Sequence, residues 1–253
     1  VDLLALYKYN ALHLHISDDQ GFRVEGERFP KLNAIGAWRA TSAVKRGRGE
    51  VQDGLPHGGF YTKDEVRALV SYAASRGIMI VPEVDVPGHT TAILAAYPEL
   101  ACEARETEVA TSYGIKDFSS HILCAGNEAV YRFLESLIEE LAQLFPAPYF
   151  HLGGDEAGKR EWEKCPKCQA VLRAHKLAGE RELQGFMLER LRRFLLGLGK
   201  EAVIWNDGLA STTGTDFICE LWTPPAMESA RRTAAHLNAG GRAIISGFRH
   251  LYF

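Results

Sequence analysis

Six short apolar runs recur along the chain, at 11–16, 78–81, 149–152, 202–205, 217–219 and 243–246, and each has the length and composition of a β-strand. Helical periodicity fills the intervals. Thr62 and Glu65 form a capping box ahead of Val66, Leu69, Val70 and Ala73, spaced i, i+3, i+4, i+7, and Gly77 closes that helix. A second helix repeats Val130, Phe133, Leu134, Leu137, Ile138, Leu141 and Leu144 in the same rhythm, with Asn127 as its cap and Pro146 beyond its end. Leu183, Phe186, Met187, Leu191 and Leu195 mark a third, and the first six residues also read as helix. Strands alternating with helices require parallel pairing through right-handed crossovers, hence an α/β fold, either a doubly wound sheet or a closed (β/α)8 barrel. Pro82 lacks a ladder donor and is therefore expected at the end of the second strand.

Composition narrows the class without naming a function. The 253 residues are 46% hydrophobic and 24% charged, which excludes collagenous, disordered and disulfide-stapled miniprotein classes. Apolar stretches are too short for a membrane helix. Twenty-nine basic against 32 acidic residues leave no excess positive charge to hold a nucleic acid, and the Lys45-Arg46-Gly47-Arg48 cluster reads as a solvated loop. No linker divides the chain, so residues 1–253 are expected to form one domain. Val1 is not an initiator Met, and the chain reads as an excerpt.

Polar chemistry collects where the apolar runs stop: Ser17-Asp18-Asp19 after the first, Glu83-Val84-Asp85-Val86-Pro87-Gly88-His89 after the second, Gly153-Gly154-Asp155-Glu156 after the third, Asn206-Asp207 after the fourth. In parallel α/β folds the carboxyl ends of the strands form the ligand face. Adjacent Asp155 and Glu156 are the sharpest feature, because neighbouring carboxylates resist ionising together, leaving one as a general acid and the other as a stabilising anion. The structural alternative makes Asp155 a helix N-cap and Glu156 a first-turn acid.

Three ordered blocks, Lys8 to Gly21 (KYNALHLHISDDQG), Pro82 to Thr90 (PEVDVPGHT) and His151 to Glu156 (HLGGDE), resemble the catalytic domain of family-20 glycoside hydrolases, the β-N-acetylhexosaminidases. The resemblance runs over essentially the whole chain and implies a (β/α)8 TIM barrel, of which about six of the eight units are present. It implies an exo-acting, retaining hydrolase of terminal β-linked N-acetylglucosamine or N-acetylgalactosamine, in which the 2-acetamido oxygen is the nucleophile; glycosidases of this family are substrate-assisted. By the same resemblance Glu156 is the acid/base and Asp155 holds the acetamido N–H. Asp85 and His89 match a pair directed at the catalytic Glu. Asp18, with Asp19 as the alternative, grips sugar hydroxyls, Trp205 and Trp222 wall the pocket, and Tyr252 donates to the acetamido oxygen. No cofactor is implied. The partner is an oligosaccharide or glycoconjugate, and an exported location is favoured, while oligomeric state is left open. The family's first strand with its arginine is expected before Val1 and its last strand after Phe253, so the excerpt alone is expected to be a poor catalyst.

Five cysteines remain. Cys165 and Cys168 have half the spacing of a zinc site, but no second Cys or His pair lies at the usual distance, so a local disulfide or free thiols are expected, and no metal ligand. Cys102 and Cys124 bridge a loop if the protein is exported, and Cys219 is expected to be buried in a strand. Two rivals stand beside the glycosidase: a carbohydrate-binding barrel without turnover, and a metal-dependent barrel hydrolase built on His13 and His15, two imidazoles on one strand face. His13 and His15 are otherwise read as structural, hydrogen-bonded inside the barrel.

Overall fold

In a computed structural model, residues 1–46, 49–111 and 121–251 are described. All six expected strands form: β1 (Ala11–Asp18), β2 (Met79–Val84), β3 (Tyr149–His151), β4 (Glu201–Trp205), β5 (Ile218–Leu221) and β6 (Arg242–Ile245). They lie side by side in chain order and pair in parallel, while Gly21–Phe22 folds back antiparallel against the end of β1. Among the described residues the sheet does not close on itself, and β6 and Gly21–Phe22 are its edges.

Pro82 corrects the expectation made for it. β2 continues through it to Val84, and Pro82 sits opposite Leu14 in the interior of a central strand. The missing donor is accommodated because the ladder from β2 to β3 consists of one pair, Glu83 opposite His151.

The periodic segments become α1 (Lys63–Ser75), α2 (Glu128–Leu144) and α3 (Glu180–Gly197). Both bonds of the Thr62/Glu65 capping box are made, and Asn127 accepts from the Ala129 N–H. Along α2, Val130, Phe133, Leu134, Leu137, Ile138, Leu141 and Leu144 are all buried against the sheet and its neighbours. Each such burial contributes roughly 1.5–3 kcal/mol before the loss of conformational entropy, so an acid at Leu137 is not tolerated. A fourth helix, α4 (Glu228–Asn238), escapes the sequence pattern because its buried positions, Ser229, Thr233 and His236, are polar. The basic cluster was expected as loop, yet Ala43–Arg46 and Gly49–Gln52 pair as an antiparallel hairpin, and Gly47 and Arg48 lie outside the described residues.

Candidate active site

The carboxyl ends of β1, β2, β3 and β4 bring their polar turns together. After β3 the chain does not enter a helix: the next one begins at Arg160, with Lys159 at its cap, so Asp155 is not an N-cap and Glu156 is not a first-turn acid. Instead Gly153 and Gly154 take φ of +66° and +105°, and Glu156 itself is held at +44°. Gly153 is obligatory, since a Cβ there would stand 1.7 Å from Asp85 Oδ1. The close approach lets the Gly154 N–H donate to Asp85 Oδ1 at 2.9 Å, and Gln184 of α3 holds the Gly154 carbonyl at 2.7 Å. Asp155 and Glu156 thus project from a pinned turn.

His89 is the cation among the acids. Its Nδ1 lies 3.1 Å from Asp18 Oδ1 and 3.2 Å from Asp19 Oδ2, and its Nε2 lies 3.5 Å from Asp155 Oδ2 and 3.4 Å from Glu156 Oε2. Burial opposes its charge but is outweighed by the carboxylates, Asp155 first, so the imidazole is held protonated far above its ordinary range. Asp18 is correspondingly lowered: burial opposes this, and His15 and His89 prevail. Asp85 is fully enclosed; burial and then the adjacent Asp155 carboxylate raise it well above the aspartate range, and carboxylate oxygens of the two lie within 4.8 Å of each other and of a His89 ring nitrogen. Asp85 therefore lies next to Asp155, while His89 reaches both Asp155 and Glu156.

Asp18 and Asp19 differ in their partners. Asp19 is buried and accepts from the Thr91 N–H at 3.0 Å and the Thr91 hydroxyl at 2.5 Å, a structural tie between strand end and the following turn. Asp18 is about one-third exposed and remains at the rim.

Asp207, just beyond β4, joins the site though its role escaped the sequence reading. It accepts the Glu156 N–H at 2.9 Å and the Trp222 indole N–H at 3.0 Å, and is raised by burial and by Asp155. Its signal was the acid at a strand end. Trp222 is thereby anchored beside Glu156. Trp205 is half-buried, donates to Glu83 at 2.8 Å, and tilts over His151 with ring centres 4.8 Å apart. Tyr252 lies outside the described residues.

Beneath the turns Glu83, fully buried, lies 2.8 Å from His13 Nε2, 2.7 Å from His15 Nδ1 and 3.2 Å from His151 Nδ1. Burial alone would neutralise this carboxyl, but His151, His13 and His15 hold it well below the usual range. In return, against burial, His15 rises to about 10 through Asp18 and Glu83, and His151 to about 9 through Glu83 and Glu220. The paired histidines of β1 thus face carboxylates: Glu83 and His151 are buried, the His13 side chain is half-buried and that of His15 is 40% exposed.

This constellation has relatives. Residues 1–253 match the profile of glycosyl hydrolase family 20, catalytic domain. The chain belongs to that family. The beta-hexosaminidase of Porphyromonas gingivalis is 38% identical over 207 residues, which is 82% of this chain and 25% of that protein. The beta-hexosaminidase of Akkermansia muciniphila is 35% identical over 254 residues, covering 100% of this chain and 49% of its own length. Among solved structures, the family-20 exo-β-N-acetylglucosaminidase of Vibrio harveyi in complex with N-acetylglucosamine superposes with a TM-score of 0.80 at 34% identity, over 96% of this chain and 37% of that one. The family-20 chain therefore spans between a quarter and a half of the length of these curated relatives. No helix among its described residues is long and apolar enough to cross a membrane.

Proposed function

We propose that this chain is the core of an exo-acting, retaining β-N-acetylhexosaminidase working by substrate assistance. The observation that carries the reading is the Asp155–Glu156 pair on a non-helical, positive-φ turn, with both carboxylates 3.4–3.5 Å from one histidine cation. Glu156, 41% exposed at its side chain, protonates the departing glycosidic oxygen as the substrate's acetamido oxygen bonds to the anomeric carbon, and then removes a proton from the water that opens the oxazolinium ring. Two inversions at one carbon return the β configuration. An internal nucleophile held by the site acts at high effective molarity. Asp155 accepts the acetamido N–H and offsets the positive charge that develops, with His89 Nε2 3.5 Å from its Oδ2. Asp18 binds ring hydroxyls, Trp205 and Trp222 enclose the acetamido group, and Tyr252 donates to its oxygen.

Barrel closure belongs to the same proposal. Residues 1–253 form part of a (β/α)8 domain completed by further strands, which is supported by the exposed apolar side chains of edge strand β6, Ile244 at 44% and Ile245 at 63%. The substrate class, a terminal N-acetylhexosamine on a glycan, is supported by the printed names of the relatives and by the sugar in the Vibrio harveyi structure.

The test uses the complete protein and two aryl glycosides, one N-acetyl-β-glucosaminide and one β-glucoside. Cleavage of the acetamido sugar alone, abolished in Glu156→Gln, is expected. Equal cleavage of both refutes substrate assistance.

A further inference from the structure

Cys165 and Cys168 are free thiols, and the fold brings to them a second pair from far along the chain, Cys102 and Cys124. Cys124 Sγ lies 3.7 Å from Cys165 Sγ and 3.7 Å from Cys168 Sγ, and Cys102 Sγ lies 3.8 Å from Cys168 Sγ. All four sulfurs fall within 4.8 Å of one another, and all four thiols are free. We propose that Cys102, Cys124, Cys165 and Cys168 form a structural tetrathiolate zinc site.

The distances carry the argument. Four sulfurs at the zinc–thiolate bond length of about 2.3 Å on a tetrahedron stand about 3.8 Å apart, whereas a disulfide brings two sulfurs to about 2.05 Å and leaves each with a single partner. Here Cys124 is equidistant from two sulfurs, and Cys168 is near two others. The surrounding backbone is built for close approach. A Cβ on Gly126 would meet the Lys167 carbonyl carbon at 2.2 Å and the Cys168 nitrogen at 2.4 Å, so the turn after Cys124 presses on the helix start that carries Cys168. The Cys124 N–H is tied to the Leu100 carbonyl at 2.9 Å and the Trp162 indole to the Leu123 carbonyl at 2.9 Å. Three of the four thiols are buried, which protects bound metal from exchange.

Zinc replaces the thiol protons, releasing up to four per ion, with no oxidant or reductant. The ion joins the segment that leaves His89 to the segment that leaves Asp155 and Glu156, linking residues 41 and 66 positions apart. It is a clamp behind the active site.

The complete protein, purified without chelator under reducing conditions, is assayed for metal by elemental analysis and by release to a chromogenic chelator on titration with a mercurial. About one zinc per chain is expected, freed as the four thiols react. Cobalt substitution is expected to give the intense thiolate charge-transfer and visible bands of a tetrahedral S4 site. Cys168→Ser is expected to lose at least about tenfold in zinc affinity, while Cys219→Ser keeps it, because Cys219 lies apart in β5 against Thr233. If Cys168→Ser does not fold, the wild-type stoichiometry still decides. Sub-stoichiometric zinc with four alkylatable thiols, or two disulfides by mass spectrometry, overturns the site; stoichiometric iron overturns the choice of metal.

Discussion

Gly153→Ala places one methyl group where the geometry is least forgiving. The added carbon would stand 1.7 Å from Asp85 Oδ1, 2.2 Å from Cγ and 2.6 Å from Cα. Rotating the Asp85 side chain relieves only the first two contacts, so backbone must move. A non-glycine residue in the left-handed region costs about 1–2 kcal/mol, and loss of the Gly154 N–H bond to buried Asp85 leaves groups unsatisfied at about 1–3 kcal/mol more. Together these imply a stability loss of about 2–5 kcal/mol. The displaced turn carries Asp155 and Glu156, and a shift of about 1 Å in reacting groups costs on the order of 100-fold in rate. Gly154→Ala is the control: it also sits at positive φ, but the nearest atoms to its Cβ are 3.5 Å away, so it incurs strain without a clash. Thermal unfolding and kcat on an aryl N-acetyl-β-glucosaminide, measured on the complete protein well below its melting point, separate the two variants. Equal loss of kcat in both would show that the Asp85 contact does not set the turn.

Stability should fall on the alkaline side. His15 and His151 are raised to about 10 and about 9, so the folded chain holds protons that the unfolded chain releases above about pH 6.5. Their contribution is complete below that value and lost as pH climbs through 9 to 10, and Asp85, also raised, adds a fall of the same sign above the ordinary aspartate range. Glu83, Asp18 and Glu220 are lowered, so theirs is lost as pH drops below the carboxylate range. A melting temperature unchanged from about pH 7 to 9.5 contradicts the charge pairing of His15 and His151 with these carboxylates. The two neighbouring aspartates should part company in the same assays. Asp19→Ala, which strips both Thr91 donors of their acceptor, is expected to cost about 2–4 kcal/mol, whereas Asp18→Asn is expected to act mainly through a raised KM. The opposite ordering exchanges their roles.

Periodicity located the strands and three of the larger helices because burial there is apolar and regular. It missed α4, whose inward positions are polar, and stopped β2 short at Pro82, since a sequence does not reveal how thin the neighbouring ladder is. The acids at the strand ends were legible from position, and Asp155, Glu156 and His89 do meet. What was not legible is contact across strands: Glu83 read as one more strand-end acid until His13, His15 and His151 surrounded it, and Asp207 gained a role only through Glu156 and Trp222. The four cysteines show the limit most clearly, because spacing rules see pairs three apart and not partners brought together by folding.

That Asp155 and Glu156 are consecutive residues has a consequence for how substrate range can diverge. A single peptide unit separates them, and the pinned turn fixes both at once, so no loop insertion or hinge can respace the two carboxylates proposed as acid and as acetamide-binding group. Their gauge is rigid. New preferences for the sugar's outer hydroxyls or for the attached glycan must therefore arise in the surrounding walls, and inhibitors matched to the pair's fixed span should carry across relatives whose pockets otherwise differ.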